Sequence, residues 1–593
     1  MPRPSLTAAL SRRRFVQGAA ATGAFAVTGR WRRARAAGGA PVLSGTRFDL
    51  EIAPTPVNIT GHPRVATAVN GVVPAPTLRW REGDTVTLAV TNRLSEPSSI
   101  HWHGILVPNP MDGVPGLTFR GIAPGETFIY RFPVRQSGTY WYHSHSGFQE
   151  QTGLYGPLVI EPKGGYAQAF DRDYVVFLSD WSDDDPATIV SNLKFQSDYY
   201  NYGQRTLGTF LADTARDGLT ATIADRARWG EMRMSPTDVL DVSGATYTYL
   251  VNGQPPAANW TALFRPGERV RLRFINGSAM TIFDVRIPDL AMTVIQADGN
   301  DVEPVTVDQF RISVAETYDV IVQPRSDRAF TIFAEAEDRG GFARGTLAPR
   351  PGLSAPVPTM DPRPLRTMTD MGMSGMNHGA MEHGSMSGME AGQGAMPGMN
   401  HGAMGHGSMS GMDQRAMAGM TTTGGAAAPV SPGVAVDNVA MMPQPRLDSA
   451  GEGFPQGRRV LRYSDLRATK AGEDPRPPTR EIAVHLTGNM ERFIWGFDGR
   501  KYSESQPIPI KPGERVRIAL INDTMMEHPI HLHGMFSELE NGHGALRPYK
   551  HTINVKGGER VSFLVTGIPG RWAFHCHLLY HMEMGMFREV RVA

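Results

Sequence analysis

Three stretches of the chain share one pattern, and this repeat limits the possible folds more than any other feature of the sequence. Each stretch begins with Gly and an acidic residue, continues with alternating apolar and polar side chains, and ends in Asn nine positions after the Gly; the copies are 83–92, 267–276 and 513–522. Alternation with a period of two after a turn predicts a half-buried β-strand. A second unit, Gly-Glu followed by Gly and an aromatic residue, occurs at 125–141 and again at 558–572. The repeats predict an all-β chain of three tandem domains, each a Greek-key β-sandwich.

The composition agrees with this architecture and indicates where the domains end. The 593 residues include 65 Gly and 45 Pro, which favour turns and short strands over long helices. The stretch 351–455 is rich in Pro, Gly, Met and Ala and has almost no strand pattern, so we expect a flexible linker there. The remainder gives about 150 residues per repeat, a usual domain size. We therefore place the domains at 40–163, 164–350 and 456–593.

The first 36 residues differ from the rest, because they hold eight Arg and no acidic residue. Ser-Arg-Arg-Arg-Phe-Val-Gln at 11–17 resembles a twin-arginine export signal, and Ala-Arg-Ala at 34–36 offers a cleavage site. The apolar run between them is too short and too rich in Gly and Ala to span a bilayer. We expect a signal peptide at 1–36 and a periplasmic mature protein that is exported folded. A basic tail with no export role is the alternative.

The net charge of the chain depends on this segment. Without it, 51 basic side chains stand against 58 acidic ones. An acidic balance gives no electrostatic reason to expect nucleic-acid binding. We also expect no membrane span.

Ten of the 18 histidines lie in four short motifs. The motifs are His-Trp-His at 101–103, His-Ser-His at 143–145, His-Pro-Ile-His-Leu-His at 528–533 and His-Cys-His-Leu-Leu-Tyr-His at 575–581. In a strand, His-x-His puts both imidazoles on one face, about 6.5–7 Å apart along the chain. Ordinary surface or core histidines would explain one such motif but not four. We therefore interpret the motifs as metal ligands.

The spacing of the motifs indicates where the metal lies. His143 follows His103 by 40 residues, and His575 follows His533 by 42. The first and third domains thus carry equivalent pairs at equivalent places, as expected if a metal cluster lies on their interface. The sequence has no His or Cys between 147 and 350. The middle domain can supply no imidazole, and we interpret it as a spacer.

The single cysteine, Cys576, rules out an internal disulfide and lies between two histidines of the last motif. A thiolate with imidazoles and a weak axial thioether makes a blue-copper electron-transfer site. Cys576, His581 and Met586 follow one another at intervals of five residues, and His528 would be the second imidazole. A buried, inert cysteine is the alternative, which the two flanking histidines disfavour.

With all four motifs complete, the chain resembles the three-domain multicopper oxidases, which include the laccases. It most resembles the copper-resistance protein A family of bacterial periplasmic oxidases. The resemblance covers nearly the whole chain after the signal segment, including Gln-Ser-Gly-Thr-Tyr-Trp-Tyr-His-Ser-His-Ser-Gly-Phe-Gln-Glu at 136–150. It implies cupredoxin-like domains, four copper ions and O₂ as the electron acceptor.

The resemblance also implies a role for each motif residue. The type 1 copper would take His528, Cys576 and His581, with Met586 axial, and the type 2 copper would take His101 and His531. The two type 3 coppers would take His103, His143 and His577, and His145, His533 and His575. Because Cys576 is bonded directly to His575 and His577, electrons arriving at its sulfur would have a short covalent route to the type 3 coppers.

Proton delivery to the cluster is assigned by resemblance alone. Asp112 follows the first motif by nine residues, at a position linked in multicopper oxidases to proton delivery. A turn-forming Asp-Gly is the alternative interpretation of this residue. Many relatives carry an acidic residue directly after the last type 1 histidine, where this chain has Met582 followed by Glu583. This difference leaves the second carboxylate of the relay unassigned.

The segment 368–420 contains 14 Met, four His and 13 Gly, and two of its 14-residue stretches match at 13 positions. Thioethers suit Cu(I), and imidazole suits both copper states. We expect labile Cu(I) or Cu(II) binding in this flexible segment, with a passive linker as the alternative. The candidate thioethers are Met376, Met381, Met386, Met389, Met399, Met404, Met409 and Met412.

A second candidate site for substrate Cu(I) precedes His528. Copper efflux oxidases have a Met two positions before this histidine, as Met526 is here, and an Asp four positions before it. This chain has Thr524 at that place, and the acidic residue is displaced to Asp523. Ordinary loop packing is the alternative interpretation.

Three functions compete at this point. The leading one is oxidation of Cu(I) to Cu(II) with O₂ as acceptor, in copper resistance. The second is a broad laccase-like phenol oxidase, and the third is a non-enzymatic copper store, which the complete ligand set disfavours. O₂, Cu(I), phenols and other periplasmic copper-handling proteins are the expected partners.

Overall fold

The computed structural model describes residues 41–372 and 430–593 of the chain. Strands dominate these residues and form six sheets, two in each of three successive domains. The all-β, three-domain architecture predicted from the repeats is therefore confirmed. No helix in the described ranges is long and apolar enough to cross a membrane.

The first domain pairs a five-stranded sheet with a four-stranded one. Its strands are β1 (Val42–Ser44), β2 (Arg47–Asn58), β3 (Pro63–Val69), β4 (Thr77–Arg81), β5 (Thr85–Asn92), β6 (His101–His103), β7 (Thr127–Pro133), β8 (Gly138–His143) and β9 (Tyr155–Glu161). The sheet orders are β1-β4-β9-β8-β6 and β3-β2-β5-β7. A short 3₁₀ turn, Asn109–Met111, follows β6.

The second domain has two larger sheets and three helices. Its strands are β10 (Arg172–Ser182), β11 (Tyr247–Val251), β12 (Trp260–Leu263), β13 (Val270–Asn276), β14 (Phe283–Arg286), β15 (Met292–Ala297), β16 (Asn300–Val307), β17 (Gln309–Ile312), β18 (Thr317–Val322), β19 (Phe330–Ala336) and β20 (Phe342–Ala348). The orders are β11-β10-β13-β18-β15-β16 and β12-β20-β19-β14-β17. Helices α1 (Pro186–Phe195), α2 (Leu207–Asp217) and α3 (Leu219–Glu231) lie between β10 and β11.

The third domain repeats the plan of the second. Its strands are β21 (Glu481–Asn489), β22 (Ile494–Phe497), β23 (Ile508–Ile510), β24 (Arg515–Asn522), β25 (His528–Leu532), β26 (Ser537–Leu539), β27 (Tyr549–Lys550), β28 (Thr552–Val555), β29 (Arg560–Thr566), β30 (Gly570–Cys576) and β31 (Phe587–Val592). The orders are β22-β21-β24-β29-β26-β27 and β23-β31-β30-β25-β28. Helix α4 (Leu579–Glu583) follows β30, and 3₁₀ turns lie at Tyr463–Asp465 and Tyr502–Glu504.

The repeated stretches form the equivalent strands β5, β13 and β24. Each pairs in parallel with the first long strand of its domain and antiparallel with a later one. The repeated Asn has the same task in each copy, because its side-chain amide donates both to a carbonyl of the loop that follows and to a carbonyl of a later segment. Asn92 bonds to Glu96 and Ile122, Asn276 to Thr281 and Ile312, and Asn522 to Met526 and Val555, at 2.7–3.0 Å. In the third domain this bond fixes the loop that leads into His528.

The second and third domains share one continuous apolar core, whereas the first domain has a core of its own. The first domain joins the second through aromatic and polar contacts. Tyr155 stacks on Phe177 with ring centroids 5.3 Å apart, and the Thr139 hydroxyl donates to Asp319 at 2.9 Å. The buried guanidinium of Arg273 pairs with the same Asp319 carboxylate at 3.0 Å. The middle domain is therefore packed against both of its neighbours.

The described parts of the predicted linker, 351–372 and 430–455, contain no strand, but they are not free chain. Arg366 is fully buried and pairs with Glu337 of the second domain at 3.0 Å. Arg446 pairs with Asp370 at 2.7 Å, and the backbone of Met442 donates to the carbonyl of Gly372 at 2.9 Å. Charge pairing thus fastens both flanks of the linker, which its low aliphatic content did not predict. The signal segment 1–36 and the candidate thioethers from Met376 to Met412 lie outside the described residues.

Helices α1 to α3 were not anticipated by the sequence analysis, which placed only strands in the second domain. Asp185 caps α1 by accepting from the backbone of Ala187, and Thr206 and Thr209 form a reciprocal capping box on α2. The helices matter for the site because the chain that leaves α3 carries Asp238 and Asp241.

Candidate metal centre

The two His-x-His motifs of each outer domain lie on neighbouring strands. In the first domain β6 pairs with β8, so that His101 stands opposite His143. In the third domain β25 pairs with β30, so that His531 stands opposite His575. Because alternate residues of a strand share one face, each outer domain presents four imidazoles on one side of one sheet.

These faces meet across the interface between the first and third domains. The ring of His101 stacks on that of His533, and the ring of His103 stacks on that of His531, each with centroids 3.9 Å apart. The predicted cluster histidines form three groups whose nitrogen atoms lie within 4.8 Å of one another. The groups are His101, His103 and His531; His103, His143 and His577; and His145, His533 and His575. Spacing in the sequence paired the motifs within each domain. The structure shows that the motifs of the first and third domains meet.

Hydrogen bonds turn most of these rings so that Nε2 points into the cluster. Nδ1 of His101 donates to the carbonyl of Asp112 at 2.7 Å, and Nδ1 of His575 donates to the carbonyl of Cys576 at 2.9 Å. Several Nε2 atoms are buried and have no hydrogen-bond partner; they belong to His101, His143, His145, His531 and His577. A buried nitrogen without a partner is costly unless a metal ion takes its lone pair. The donor set therefore fits a group of bound metal ions.

Two carboxylates complete the support of this cluster. Oδ2 of Asp112 lies 2.9 Å from Nδ1 of His533, so Asp112 orients one histidine with its side chain and His101 with its carbonyl. Oε2 of Glu150 lies 2.6 Å from Nδ1 of His143. Burial raises the pKa of both carboxyl groups. Sequence reasoning found Asp112 only by resemblance and missed Glu150, which follows the second motif in a loop with no distinctive spacing.

Burial keeps the imidazoles in the form that binds metal. It lowers the pKa of His575 to about 3, and it lowers the pKa of seven other predicted ligands well below the usual value; these are His101, His103, His145, His528, His531, His533 and His577. Neighbouring imidazoles add to the shift in most of them. A neutral imidazole has a free lone pair, so no proton has to leave before metal binds.

A second site lies within the third domain. Sγ of Cys576 is 3.5 Å from Nδ1 of His528 and 3.9 Å from Nδ1 of His581, and the two nitrogens are 3.3 Å apart. Met586 is buried beside them, and its carbonyl accepts from the backbone N–H of Cys576 at 3.1 Å. One thiol and two imidazoles that converge in this way form the donor set of a blue-copper site.

The outer nitrogens of this second site are also bonded. Nε2 of His528 lies 2.8 Å from the hydroxyl of Thr524, and Nε2 of His581 lies 2.7 Å from Oδ2 of Asp241. The ring of Trp495 stacks on His581 at 3.7 Å. Asp241 belongs to the second domain. That domain supplies no imidazole, as predicted, but its carboxylate reaches the site, so it is more than a spacer.

A cleft lies beside the cluster. It has a volume of about 490 Å³, and Val114, Leu117, Met582 and Phe587 line part of it. His145 also lines it and is half-buried, whereas the other nine motif histidines are buried. The cleft therefore reaches one histidine of the trinuclear group.

Comparison with known proteins identifies the family. Models described as multicopper oxidase match residues 51–165, 172–349 and 475–593, which together make up well over half of the chain.

The chain belongs to the multicopper oxidase family.

Its similarity to named relatives extends over nearly its full length. A copper resistance protein A homolog of Pseudomonas syringae pv. tomato is 56% identical and aligns with 98% of this chain and 99% of that protein. Copper resistance protein A of Escherichia coli is 55% identical over the same shares of the two chains. The predicted membership in the copper-resistance protein A group of multicopper oxidases is confirmed.

Solved structures of multicopper oxidases share the fold. The crystal structure of Fet3p, a multicopper oxidase that functions in iron import, has a TM-score of 0.62 at 18% identity and covers 93% of this chain and 90% of its own. A laccase from Botrytis aclada has a TM-score of 0.61 at 20% identity, with coverage of 93% and 89%. Membership in the multicopper oxidase family implies copper cofactors, which agrees with the soft thiol and borderline imidazole donors of the chain.

The structure argues against the copper role predicted for Asp523. Its Oδ2 is bonded to Nδ1 of His485 at 2.7 Å, and its Oδ1 accepts from the backbone of Ala440 at 2.9 Å. Oδ1 therefore holds the returning linker and Oδ2 is bonded to β21, and Thr524 makes the contact with His528 instead. Met526 is 1% exposed, so its thioether is packed in the core of the third domain.

Replacing the sulfur of Cys576 tests the second site directly. In Cys576→Ser we expect the blue absorption and the oxidase activity to be lost, because charge transfer from thiolate to copper gives the colour and the sequence has no other Cys. Serine is close in size to cysteine, so the melting temperature of the copper-free variant should stay close to that of the copper-free parent. Absorption spectra and calorimetry check both points, and a blue band that survives the change would contradict the assignment.

Proposed function

We propose that this multicopper oxidase oxidises Cu(I) to Cu(II) in the bacterial periplasm and passes the electrons to O₂. The balanced reaction consumes four Cu(I), one O₂ and four protons, and yields four Cu(II) and two H₂O. The observation that carries the proposal is the sealed blue-copper site, whose outer imidazole His581 is bonded to a buried carboxylate, Asp241.

The residues would hold four resident copper ions. His528, Cys576, His581 and Met586 would hold the type 1 ion; His101 and His531 would hold the type 2 ion; and His103, His143 and His577, with His145, His533 and His575, would hold the type 3 pair. When bound, these ions supply one-electron redox chemistry and together store the four electrons that O₂ needs. Cys576 is joined by peptide bonds to His575 and His577, which gives a short covalent route between the two sites. Asp112 would also take part in proton delivery to the cluster.

The burial of the blue-copper site favours a metal ion over a phenol as the electron donor. The side chains of His528, Cys576 and His581 are 0% exposed, as is that of Met586. A bulky aromatic substrate would have no ring edge to contact. Electrons must instead cross the groups bonded to the outer nitrogens, which are a hydroxyl and a carboxylate.

The groups around Asp241 favour a cation in particular. Asp238 and Asp241 are 4% and 2% exposed, and each has a buried Oδ1 without a hydrogen-bond partner among the described residues. Burial raises the pKa of Asp238, and the nearby carboxylate of Asp241 raises it further. Two close, incompletely paired carboxylates would be stabilised by a bound cation.

A path for the ion lies next to these carboxylates. A cleft of about 600 Å³ is lined by Trp229, Thr237 and Met368, among other residues, and Thr237 directly precedes Asp238. Met368 also marks the start of the Met-rich segment. We propose that the thioethers of that segment gather labile Cu(I) and pass it towards the cleft.

The periplasmic location rests on the twin-arginine-like sequence at 11–17 and on the resemblance to the copper-resistance protein A family. Other periplasmic copper-handling proteins would be the partners that supply or accept copper.

Removing the charge of Asp238 tests the cation site. In Asp238→Asn we expect KM for Cu(I) to rise about tenfold, the equivalent of losing about 1.4 kcal/mol of binding. Oxidation of a substituted phenol should stay unchanged, because Asp238 is not bonded to a blue-site histidine in the described structure. Steady-state kinetics with both donors measures this difference.

Two further variants calibrate the result. Asp241→Asn should lower the rates with both donors, since it alters the support of His581. Asp327→Asn removes a charge from the exposed Arg350–Asp327 pair, which lies outside the cleft, and should change neither. Equal losses on Cu(I) and phenol in Asp238→Asn would contradict the proposed cation site.

Replacement of residues 373–420 by a Gly/Ser chain of equal length, which leaves the Arg446–Asp370 pair in place, tests the role of the thioethers. The ten motif histidines, Cys576 and Met586 are outside the replaced segment, so the resident coppers should load normally. The apparent affinity for Cu(I) at low free copper should fall, while the maximal Cu(I) rate and phenol oxidation should be kept. If the variant lost activity equally on both donors, the segment would be structural instead.

A further inference from the structure

An eleventh histidine, His551, lies at the trinuclear group although no motif includes it. It occupies the single position between β27 and β28 and is 2% exposed. Sequence reasoning passed over it because it stands alone among polar residues, with no His-x-His partner. Its side chain and its backbone carbonyl each contact a different cluster histidine.

The side chain of His551 contacts His103. Nδ1 of His551 lies 3.1 Å from Nε2 of His103, and the hydroxyl of Thr552 lies 3.2 Å from the same atom. Nδ1 of His103 is buried and has no hydrogen-bond partner. His103 is thus turned the opposite way to His101 and His531, whose partnerless nitrogen is Nε2.

The chemistry of imidazole explains why this contact matters. A neutral imidazole carries a proton on one nitrogen and a lone pair on the other, and the nitrogen that donates a hydrogen bond cannot bind metal. An acceptor at Nε2 of His103 therefore directs the lone pair of Nδ1 into the cluster. Nδ1 of His551 and the hydroxyl of Thr552 are both placed to be that acceptor, and for Nδ1 this puts the proton of His551 on Nε2, which has no partner among the described residues.

The backbone of His551 orients a second cluster histidine, one that belongs to the third domain. Its carbonyl lies 2.5 Å from Nδ1 of His531, so the lone pair of His531 is at Nε2. His103 belongs to the first domain and His531 to the third, and their rings stack at 3.9 Å. One residue thus sets the orientation of a stacked pair that joins two domains.

The second domain holds His551 in place. Oδ2 of Asp298 accepts from the backbone N–H groups of His551 and Thr552 at 3.0 and 3.1 Å, and it pairs with Nζ of Lys550 at 3.1 Å. Oδ1 of Asp298 accepts from the backbone of Thr317 at 3.1 Å. Asp298 is fully buried, so this carboxylate fixes three consecutive residues of the third domain.

The ring of His551 also has little room to move. A Cβ atom at Gly104 would lie 2.4 Å from Cδ2 of His551, and Gly104 has a φ of 75°, a conformation that favours glycine. The turn after the first motif therefore packs directly against the ring.

We propose that His551 and Asp298 are positioning residues of the trinuclear copper site. His551 selects Nδ1 of His103 and Nε2 of His531 as the copper-binding atoms. Asp298, a residue of the second domain, holds His551 in the position that this requires. The proposal uses the assignment of His103 and His531 as copper ligands, and it is independent of which substrate the enzyme oxidises.

Three substitutions of His551 separate this role from ordinary packing. Asn places an oxygen acceptor near the position of Nδ1, Gln places one near that of Nε2, and Ala provides none. We expect His551→Asn to retain the type 3 copper signal, and His551→Gln and His551→Ala to alter it, whereas type 2 copper should be kept in all three because the carbonyl of residue 551 still accepts from His531. Loss of an outer partner of a metal ligand weakens metal binding about 10- to 100-fold, and we expect a loss of that size for type 3 copper in the Ala variant.

The measurements are copper content per chain, competition with a chelator, electron paramagnetic resonance of type 2 copper and the near-ultraviolet band of the type 3 pair. The blue band serves as an internal standard, because His528, Cys576 and His581 form a separate group. His543→Ala is the matched control, since this half-buried histidine between β26 and β27 bonds only to the carbonyl of Ser464 within the described structure. It should leave every signal unchanged.

The comparison of Asn with Gln decides the outcome even if the Ala variant fails to fold. If Gln preserved the type 3 signal as well as Asn, the contact at Nδ1 would not set the ligand orientation, and the proposal would be overturned. It would be overturned equally if Asn lost that signal while the blue band remained, or if Ala left copper affinity and spectra unchanged.

Discussion

The contact between the histidine-bearing sheets of the first and third domains is the interaction on which the rest of the structure depends. Eight imidazoles meet there, all of them buried except the half-buried His145, and the stacked pairs His101–His533 and His103–His531 join the two domains. Buried imidazoles without metal leave several nitrogen atoms unbonded, which opposes close packing. Copper bound by these nitrogens would relieve that cost and would couple metal binding to domain assembly.

The middle domain takes part in both copper sites although it has no histidine. Asp298 fixes the turn that carries His551 at the trinuclear group, and Asp241 is bonded to His581 at the blue-copper site. Asp241 and Asp298 are far apart in the sequence of the second domain, but both contact the third domain. A rigid, charged connection of this kind suits an enzyme in which electrons enter at one site and are used at another.

The sequence predicted the site residues that occur in motifs of regular spacing. Strand periodicity places both imidazoles of His-x-His on one face, so the four motifs could be paired from their spacing alone. Glu150, Asp241, Asp298 and His551 could not be found in this way, because each is a single residue in a loop with no partner at a regular spacing. Asp241 and Asp298 reach the third domain only through domain packing. Asp523 is a different case. Its position near His528 suggested a copper ligand, but its two oxygens are bonded to His485 and Ala440. Helices α1 to α3 were missed because the β repeats dominated the interpretation of the second domain.

Calorimetry of the copper-free and copper-loaded protein, with hydrogen exchange at β6 and β25, tests the coupling of copper to domain assembly most directly. At free copper of about 1,000 times Kd, a single bound ion should add about 4 kcal/mol to the free energy of unfolding. Loading should therefore raise the melting temperature and slow exchange on both strands together. If the two forms melted and exchanged identically, with copper shown by elemental analysis to be bound, the cluster would not lie between the domains and the account would be contradicted.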